Sequence, residues 1–501
     1  MKHKCDITIV GSNFGGALTA HVLAKIGYRV CVVDRFEHPR FTIGESTTPL
    51  ADIAVERIAE RYGLKWLKPL ARYGTASKIS TEVVVGPKRG FSYFHHRQGS
   101  AFEPSPERGS ELLVAASTSE AVADMHWLRS SVDSFIADRL PDSGVRLLEK
   151  YRITEIRKDG SWSIIGEKGG QTIQIDSRFI IDATGRAAAV NRSIGARTVD
   201  HELLTNTSAI YGHFQGLQDW TDVYRALGGN SDQHPFPAQR AALHHMINEG
   251  WMWQLGFDNG ITSCGVVFAG TLPAGSVEDR WNSVLESYPS LLEQFKDSEL
   301  AGSEELKGIK RIQYLREFEF VENLLSLPST IGFVDPMHST GIAQTLNAIE
   351  KIGVMFEMAN PGFPGADDQT AYVRNVIRDV KWIDELVSAA YASRFDFELF
   401  VSAVLLYFVV VASAERDLPD SFLHSDTGSV TSTVVKLTCL IRDIEARHKT
   451  GELGRSEIRK ATETIRKETA HLNDFGLMDP KSNNLYLHTA VDKSYKRIGA
   501  G

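Results

Sequence analysis

Apolar positions near the start of the chain fall in two short runs, Asp6 to Val10 and Tyr28 to Val33, with a helix-forming stretch, Ala17 to Ile26, between them. Near-continuous apolar runs of this length, without alternation, predict strands buried on both faces. The turn GSNFGG separates the first strand from the helix, and the second strand ends on Asp34. Strand, glycine turn, helix, strand and terminal acid make one βαβ unit of a parallel sheet. A third run, Phe179 to Ile181, ends in Asp182-Ala183-Thr184-Gly185. A further strand is predicted to end at Asp335-Pro336. The helix after it opens at Ser339-Thr340-Gly341 and runs to about Met358.

Between these pieces the pattern changes. Thr81 to Phe94 and Arg152 to Ile175 read as strands of an antiparallel sheet, broken at Lys158-Asp159-Gly160 and Lys168-Gly169-Gly170. Residues 205–330 mix alternating strands with a helix predicted near Pro237 to Asn248. After about Pro361 glycine becomes sparse and helical spacing takes over: Asp368 to Ala392, Phe395 to Ala414, Val430 to Thr450 and Arg455 to Leu472. The uncharged run Leu399 to Ala414 is shorter than the ~20 residues that span a bilayer. It predicts a buried helix and no integral membrane segment, with an interfacial membrane contact as the lesser alternative.

Composition adds exclusions. Of 501 residues, 42% are apolar and 24% charged, which fits a soluble globular protein and excludes disorder, collagen and coiled coil as the main architecture. A net charge of −8 disfavours nucleic acid as the main partner. Cys5, Cys31, Cys264 and Cys439 lie far apart with no CxxC pair, so neither a disulfide framework nor a zinc site is expected, and a reducing cytoplasm is. The start, MKHKCDITIVGS, lacks the long apolar core of a signal peptide. His95-His96 and His244-His245 are adjacent pairs that point apart on a strand and chelate poorly on a helix, so no metal is expected.

The glycine turn carries chemistry. Gly11 permits the tight turn and Gly16 the close packing of helix on strand. The helix N-terminus then offers N–H groups and partial positive charge to a pyrophosphate, and Asp34 is placed for an adenosine ribose. Asn13 stands where the middle glycine of GxGxxG belongs, so its side chain must turn away from the phosphates or loosen the approach. Arg129 and Asp133, in HWLRSSVDSF, lie one turn apart on a predicted helix. Two readings stand: a diphosphate-facing arginine, or an i,i+4 surface salt bridge.

Taken together, GSNFGG and DATG resemble the two-dinucleotide-type flavoproteins, which implies FAD. Four segments narrow this: GSNFGG, Gly44-Glu45-Ser46-Thr47-Thr48-Pro49, Gly250-Trp251-Met252-Trp253-Gln254-Leu255 and Asp335-Pro336-Met337-His338-Ser339-Thr340-Gly341-Ile342. In that order they resemble the flavin-dependent halogenases, within the FAD-dependent aromatic monooxygenases. The resemblance implies an α/β fold: an FAD-binding Rossmann-like domain with an inserted antiparallel substrate sheet and a helical C-terminal cap. The flavin domain is expected over 1–360 (segments about 1–80, 120–200 and 310–360), the inserted sheet at about 81–119 and 201–309, and the cap over 361–501.

It also implies a reaction. FAD arrives as FADH2 from a separate flavin reductase and, with O2 and a halide ion, yields hypohalous acid. That electrophile travels through a tunnel to a lysine that steers it onto an electron-rich ring. Lys88 is the expected lysine, with Lys78 as its rival. Trp251 and Trp253 are expected to wall the flavin off from the substrate, against the plainer reading of two core tryptophans. Thr340 and Gly341 are the expected halide site. The expected flavin contacts are Gly11, Asn13, Phe14, Gly15, Gly16, Asp34 and Arg35 in the first unit. Further contacts are expected from Glu45, Ser46, Thr47, Arg129, Asp182, Gly185, Asp335 and Ile342.

Two departures matter. His338 stands where tryptophan-specific members carry a glutamate, which tilts the substrate towards phenols. It reads as a base near neutral pH or as a structural histidine. The Trp-x-Trp segment continues Leu255-Gly256 in place of the usual Ile-Pro. The competing functions are a monooxygenase or reductase acting on an aromatic or isoprenoid without halide, and a non-catalytic flavoprotein that binds a lipid or carrier protein. The sequence does not choose between a free and a carrier-tethered aromatic substrate.

Overall fold

The computed structural model describes residues 2–302, 305–317 and 319–486. Residues 1, 303–304, 318 and 487–501, which belong to the expected segments, lie outside them.

The two apolar runs form strands Ile7–Val10 and Val30–Val33, both fully buried, joined through the Phe14–Ile26 helix. They sit in a parallel sheet with the order Leu324–Ser326, Phe179–Asp182, Ile7–Val10, Val30–Val33, Arg146–Leu148. Burial on both faces is why these strands show no alternation. The Thr340–Ala359 helix packs across the Phe14–Ile26 helix. The sheet strand before it is Leu324–Ser326, not one ending at Asp335-Pro336. Only Gly332–Phe333 is extended there, and it pairs with Tyr314–Glu317.

The second large sheet has nine strands among the described residues. Its order is Glu299–Leu300, Thr207–Gln215, Ile261–Ala269, Gly250–Gly256, Ala242–Ile247, Gly90–His95, Glu111–Ala115, Leu485–Tyr486, with Lys307–Ile309 beside Thr207–Gln215. The helix expected near Pro237 to Asn248 is absent. A short 3-10 turn, Ala238–Arg240, leads into strand Ala242–Ile247. Its Ala, Leu, His and Met are good enough helix formers, but pairing with two neighbours overrides weak local preference.

The single antiparallel sheet expected from Thr81–Phe94 and Arg152–Ile175 is two. Arg152–Asp159, Ser161–Lys168 and Gln171–Ser177 form their own sheet with Lys2–Lys4. Val85–Lys88 leaves the large sheet altogether and pairs with Asp124–Trp127 in a two-stranded ribbon. The bend follows Lys88, so this residue sits where ribbon and sheet meet.

The C-terminal part is helical: Ala366–Ser393, Phe397–Asp417, Gly428–Lys449 and Arg455–Thr469. Asp396 caps the second by accepting the Leu399 N–H. Phe397–Asp417 is long and apolar enough to cross a membrane, but most of its surface is buried inside the protein. It is apolar all round because it is a core helix.

Candidate active site

The cradle for a dinucleotide is built from backbone. Gly11 has φ +104°, and a Cβ there would lie 2.5 Å from the Ala183 carbonyl oxygen. A Cβ on Gly16 would lie 2.0 Å from Gly11 O, so only glycine lets the helix approach the strand end. Asn13 resolves its departure by folding back. Its Oδ1 accepts from the Gly15 and Gly16 amides at 2.9 and 3.3 Å, and its Nδ2 donates to Ala183 O at 2.6 Å. Those two amides are therefore engaged, and Phe14 N–H is the first-turn donor left for a phosphate.

Asp34 Oδ2 accepts from Ser12 N, Ser12 Oγ and Arg40 Nη2, while Oδ1 accepts only from Phe36 N. A lone pair on Oδ1 thus remains for a ribose. Arg35 is exposed, with its guanidinium over the exposed Phe36 ring. Asp182 is spent on its own turn: Oδ1 accepts from Thr184 N and Oγ1, and Oδ2 from the Val190 and Asn191 amides. The turn's backbone is tied down as well: Gly185, at φ +58°, donates its N–H to Thr330 Oγ1 at 3.1 Å.

Arg129 and Asp133 are not a surface pair. Their side chains are 6% and 0% exposed and bonded in bidentate fashion. Arg129 Nη1 also donates to Ile43 O and Gly44 O, which pins the Gly44–Thr47 segment from below. Four of its five N–H donors are thereby used. Above it, Ser46 bridges to His126, and Trp127 N–H donates to Glu45 O. Glu45 Oε1 accepts from His213 Nε2 at 2.9 Å. Glu45 Oε2, Ser46 Oγ and His126 Nε2 are buried without a protein partner. Unspent polar atoms beside a glycine cradle suit the polar edge of a flavin, so the residues fit FAD.

Lys88 is fully buried. Its Nζ donates to Thr47 O at 2.6 Å and lies 4.0 Å from the Phe91 ring centroid. Burial pushes its pKa from 10.5 down to about 7, against the opposing pull of Asp124, Asp52 and Glu415. Asp124 is its partner across the ribbon. Lys78 is exposed on a short 3-10 turn. Of the two lysines, only Lys88 joins the buried cluster.

From Lys88 a chain of rings runs inward. Phe91 tilts against Phe408, Tyr93 stacks on His244 at 4.5 Å, and His244 lies 4.9 Å from Trp251. His338 stacks on Tyr407 at 3.8 Å and 9°. Both His338 nitrogens and the Tyr93 hydroxyl are buried without a protein partner. Burial pushes His338 down to about 3. A ring held neutral by burial is a feeble proton acceptor, which favours the structural-histidine reading over a base near neutral pH. Trp251 and Trp253 lie on one face of their strand, 6.1 Å apart. Asp335 is buried, with its pKa pushed up to about 7 by desolvation. The Thr340–Ala359 helix begins after Ser339, at φ 55°, with no side-chain cap. Its first amides, including Thr340 and Gly341, stay open to an anion, and Ile342 is buried just behind.

The family model described as tryptophan halogenase matches residues 124–397, more than half of the chain. The chain belongs to this family. It is a flavin-dependent halogenase, an oxidoreductase whose cofactor is FAD. Tetracycline 7-halogenase of Kitasatospora aureofaciens is 26% identical over 417 residues, covering 80% of this chain and 72% of the relative. Monodechloroaminopyrrolnitrin halogenase PrnC of Pseudomonas fluorescens is 24% identical, covering 79% and 69%. Among solved structures, halogenase PltM in complex with phloroglucinol and FAD superposes with a TM-score of 0.83 at 22% identity, covering 96% of this chain and 99% of that one.

Several residues of this halogenase's site escaped the sequence reading. His244 faces Tyr93 and Trp251, while its neighbour His245 turns to His96 and Trp220 on the other side of the sheet. The histidine pair does point apart, as alternation on a strand requires. No group of metal-ligating side chains occurs among the described residues. His213, Tyr391 and Tyr407 carried no motif. Tyr407 is one polar tip in a mostly apolar helix, while His213 and Tyr391 sit among mixed polar and apolar neighbours, and neither setting is a signal that sequence alone separates from ordinary core.

Proposed function

We propose that this halogenase acts on a neutral hydroxylated aromatic, in the simplest case a phenol, with Lys88 directing the electrophilic halogen. The observation that carries the reading is the buried Lys88 amine, near neutrality at pH 7 and set at the end of a chain of aromatic rings. Reduced FAD, once bound, supplies with O2 the oxidising power that turns chloride or bromide into hypohalous acid. The open amides of Thr340 and Gly341 hold the halide. Trp251 and Trp253 bar the substrate from the flavin side. Lys88 then offers an N–H to hypohalous acid as ammonium, or a lone pair to the halogen as neutral amine, and a pKa near 7 keeps both forms available.

His338 accepts a hydrogen bond from the substrate hydroxyl on a ring nitrogen that has no protein partner. A neutral acceptor next to stacked rings suits the hydroxyl and ring of a phenol. The fold neighbour crystallised with phloroglucinol supports this choice. In this reading segments about 1–80, 120–200 and 310–360 hold the flavin, segments about 81–119 and 201–309 line the substrate, and the helices from 361 onward close over it. A separate flavin reductase supplies FADH2.

The test is reconstitution with a flavin reductase, NADH, chloride or bromide, and a panel of phenols, indoles and carrier-tethered pyrroles, read by mass spectrometry. A monohalogenated phenol supports the reading. An oxygenated product formed equally well without halide overturns it in favour of a monooxygenase. The carrier-tethered arm is included because a relative 23% identical is a 1H-pyrrole-2-carbonyl-[peptidyl-carrier protein] chlorinase from Pseudomonas fluorescens.

A further inference from the structure

Three parts of the chain meet at one hydroxyl. The Trp251 indole N–H donates to Tyr391 Oη at 2.8 Å, and that hydroxyl donates to Asp335 Oδ2 at 3.0 Å. Trp251 belongs to strand Gly250–Gly256, Tyr391 to the cap helix Ala366–Ser393, and Asp335 to the turn ahead of the open helix at Thr340. Asp335 is itself anchored. Thr207 Oγ1 donates to Oδ2 at 3.0 Å and Met337 N–H to Oδ1 at 3.0 Å. Gln313 Nε2 in turn donates to Thr207 Oγ1 at 2.6 Å and to Val334 O at 2.8 Å.

The two tryptophans are therefore held differently. Trp253 Nε1–H donates at 3.3 Å to Ser263 Oγ on the adjacent strand of its own sheet. Trp251 has a single N–H and spends it on the cap. An indole ring fixed by packing alone retains freedom to tilt. One fixed also at its nitrogen has a defined plane.

We propose that Tyr391 is a positioning residue that locks Trp251 to Asp335 and so sets how much of the oxidant reaches the aromatic ring as halogen. The inference rests on the reading of Trp251 as the wall between flavin and substrate. A looser indole lets the oxidant be lost, so NADH is consumed without halogenated product.

The experiment measures halogenated product per NADH consumed, with the flavin reductase in place, for Tyr391→Phe, Trp251→Phe, their combination, and Trp251→Ala. Tyr391→Phe removes one hydroxyl. It is expected to lower product per NADH about fivefold, the size set by one net hydrogen bond, with the aromatic substrate's KM unchanged. Trp251→Phe, which lacks the N–H, is expected to show the same defect, and the combination no more than either. The indole N–H resonance of Trp251 is expected to move upfield in Tyr391→Phe.

Wild-type coupling in Tyr391→Phe, or independent multiplying defects in the combination, overturns the proposal. If Trp251→Ala disturbs coupling while Tyr391→Phe does not, only the role of Tyr391 falls. If neither disturbs it, the wall falls as well. Should Tyr391→Phe not fold, Trp251→Phe carries the test alone, and unchanged product per NADH then overturns the proposal.

Discussion

Lys88→Met replaces a buried amine with an apolar chain of similar length, and its effect on stability separates chemistry from architecture. The drop in pKa from 10.5 to about 7 corresponds to about 5 kcal/mol of preference for the neutral amine. The sign follows from linkage. In the unfolded chain the amine keeps its proton up to about 10.5, whereas in the folded protein it gives it up near 7. The penalty is thus present in full below about pH 7 and is relieved as pH rises towards 10.5. Methionine carries no such penalty.

Part of the gain is returned. Thr47 O loses its 2.6 Å donor, and the carboxyls of Asp124, Asp52 and Glu415, which face the amine from the ribbon strand and two helices, lose a cation. A net stabilisation of about 2–3 kcal/mol at pH 6 remains, shrinking towards pH 10. Urea unfolding of both proteins at pH 6 and pH 9.5 measures it, beside halogenation assays by mass spectrometry. The expected pair of results is a protein that is more stable at pH 6, no longer halogenates and still supports NADH oxidation. A variant less stable than wild type at pH 6, or one that still halogenates, refutes the reasoning.

Arg129→Ala strands the fully buried Asp133 carboxylate and frees the Gly44–Thr47 segment, so denaturant unfolding should show a loss of about 3–5 kcal/mol together with weaker FAD binding. Gly11→Ala meets both a positive φ and the Ala183 carbonyl, and should lose about 2 kcal/mol or more by thermal unfolding while flavin titration shows reduced affinity. His338→Phe keeps the stack on Tyr407 but removes both ring nitrogens. The phenol KM should rise about 3- to 10-fold with kcat nearly kept. Because the wild-type ring has its pKa near 3, the pH–rate profile between 6 and 8 should be the same in both proteins; an inflection near 6.5 that vanishes in the variant would contradict the burial argument.

The parts of this protein that were legible in sequence are those where a local rule has one structural solution. GSNFGG between two apolar runs leads to a βαβ cradle because Gly11 and Gly16 stand where no Cβ fits. The four C-terminal helices begin and end within a few residues of their apolar spacing. Other features depended on partners distant in the chain. Residues 242–247 are a strand because Gly90–His95 and Gly250–Gly256 flank them, not because of their own composition. Arg129 and Asp133 have the spacing of a surface pair, and only the packing of Phe14 and the Gly44 segment over them makes the pair buried. His338 is identifiable as a departure from the family pattern, yet its neutrality comes from burial beneath elements distant in the chain, with His244 adding to the effect and Tyr407, some 70 residues away, stacked on the ring.

One feature of the large sheet bears on how this enzyme can be re-engineered. Leu485–Tyr486, beyond all four cap helices, returns to pair with Leu113 and Val114 at the edge of the sheet that carries both tryptophans, and Asn483 and Asn484 tie the same junction to Pro106 and Arg108. The cap is stitched to the catalytic half at both of its ends. Grafting a relative's helices onto this chain to change substrate choice must therefore carry the matching edge strand as well. Without it, residues 111–115 would present unpaired backbone groups, and the chimera would be prone to associate through that edge before its new pocket could be assayed.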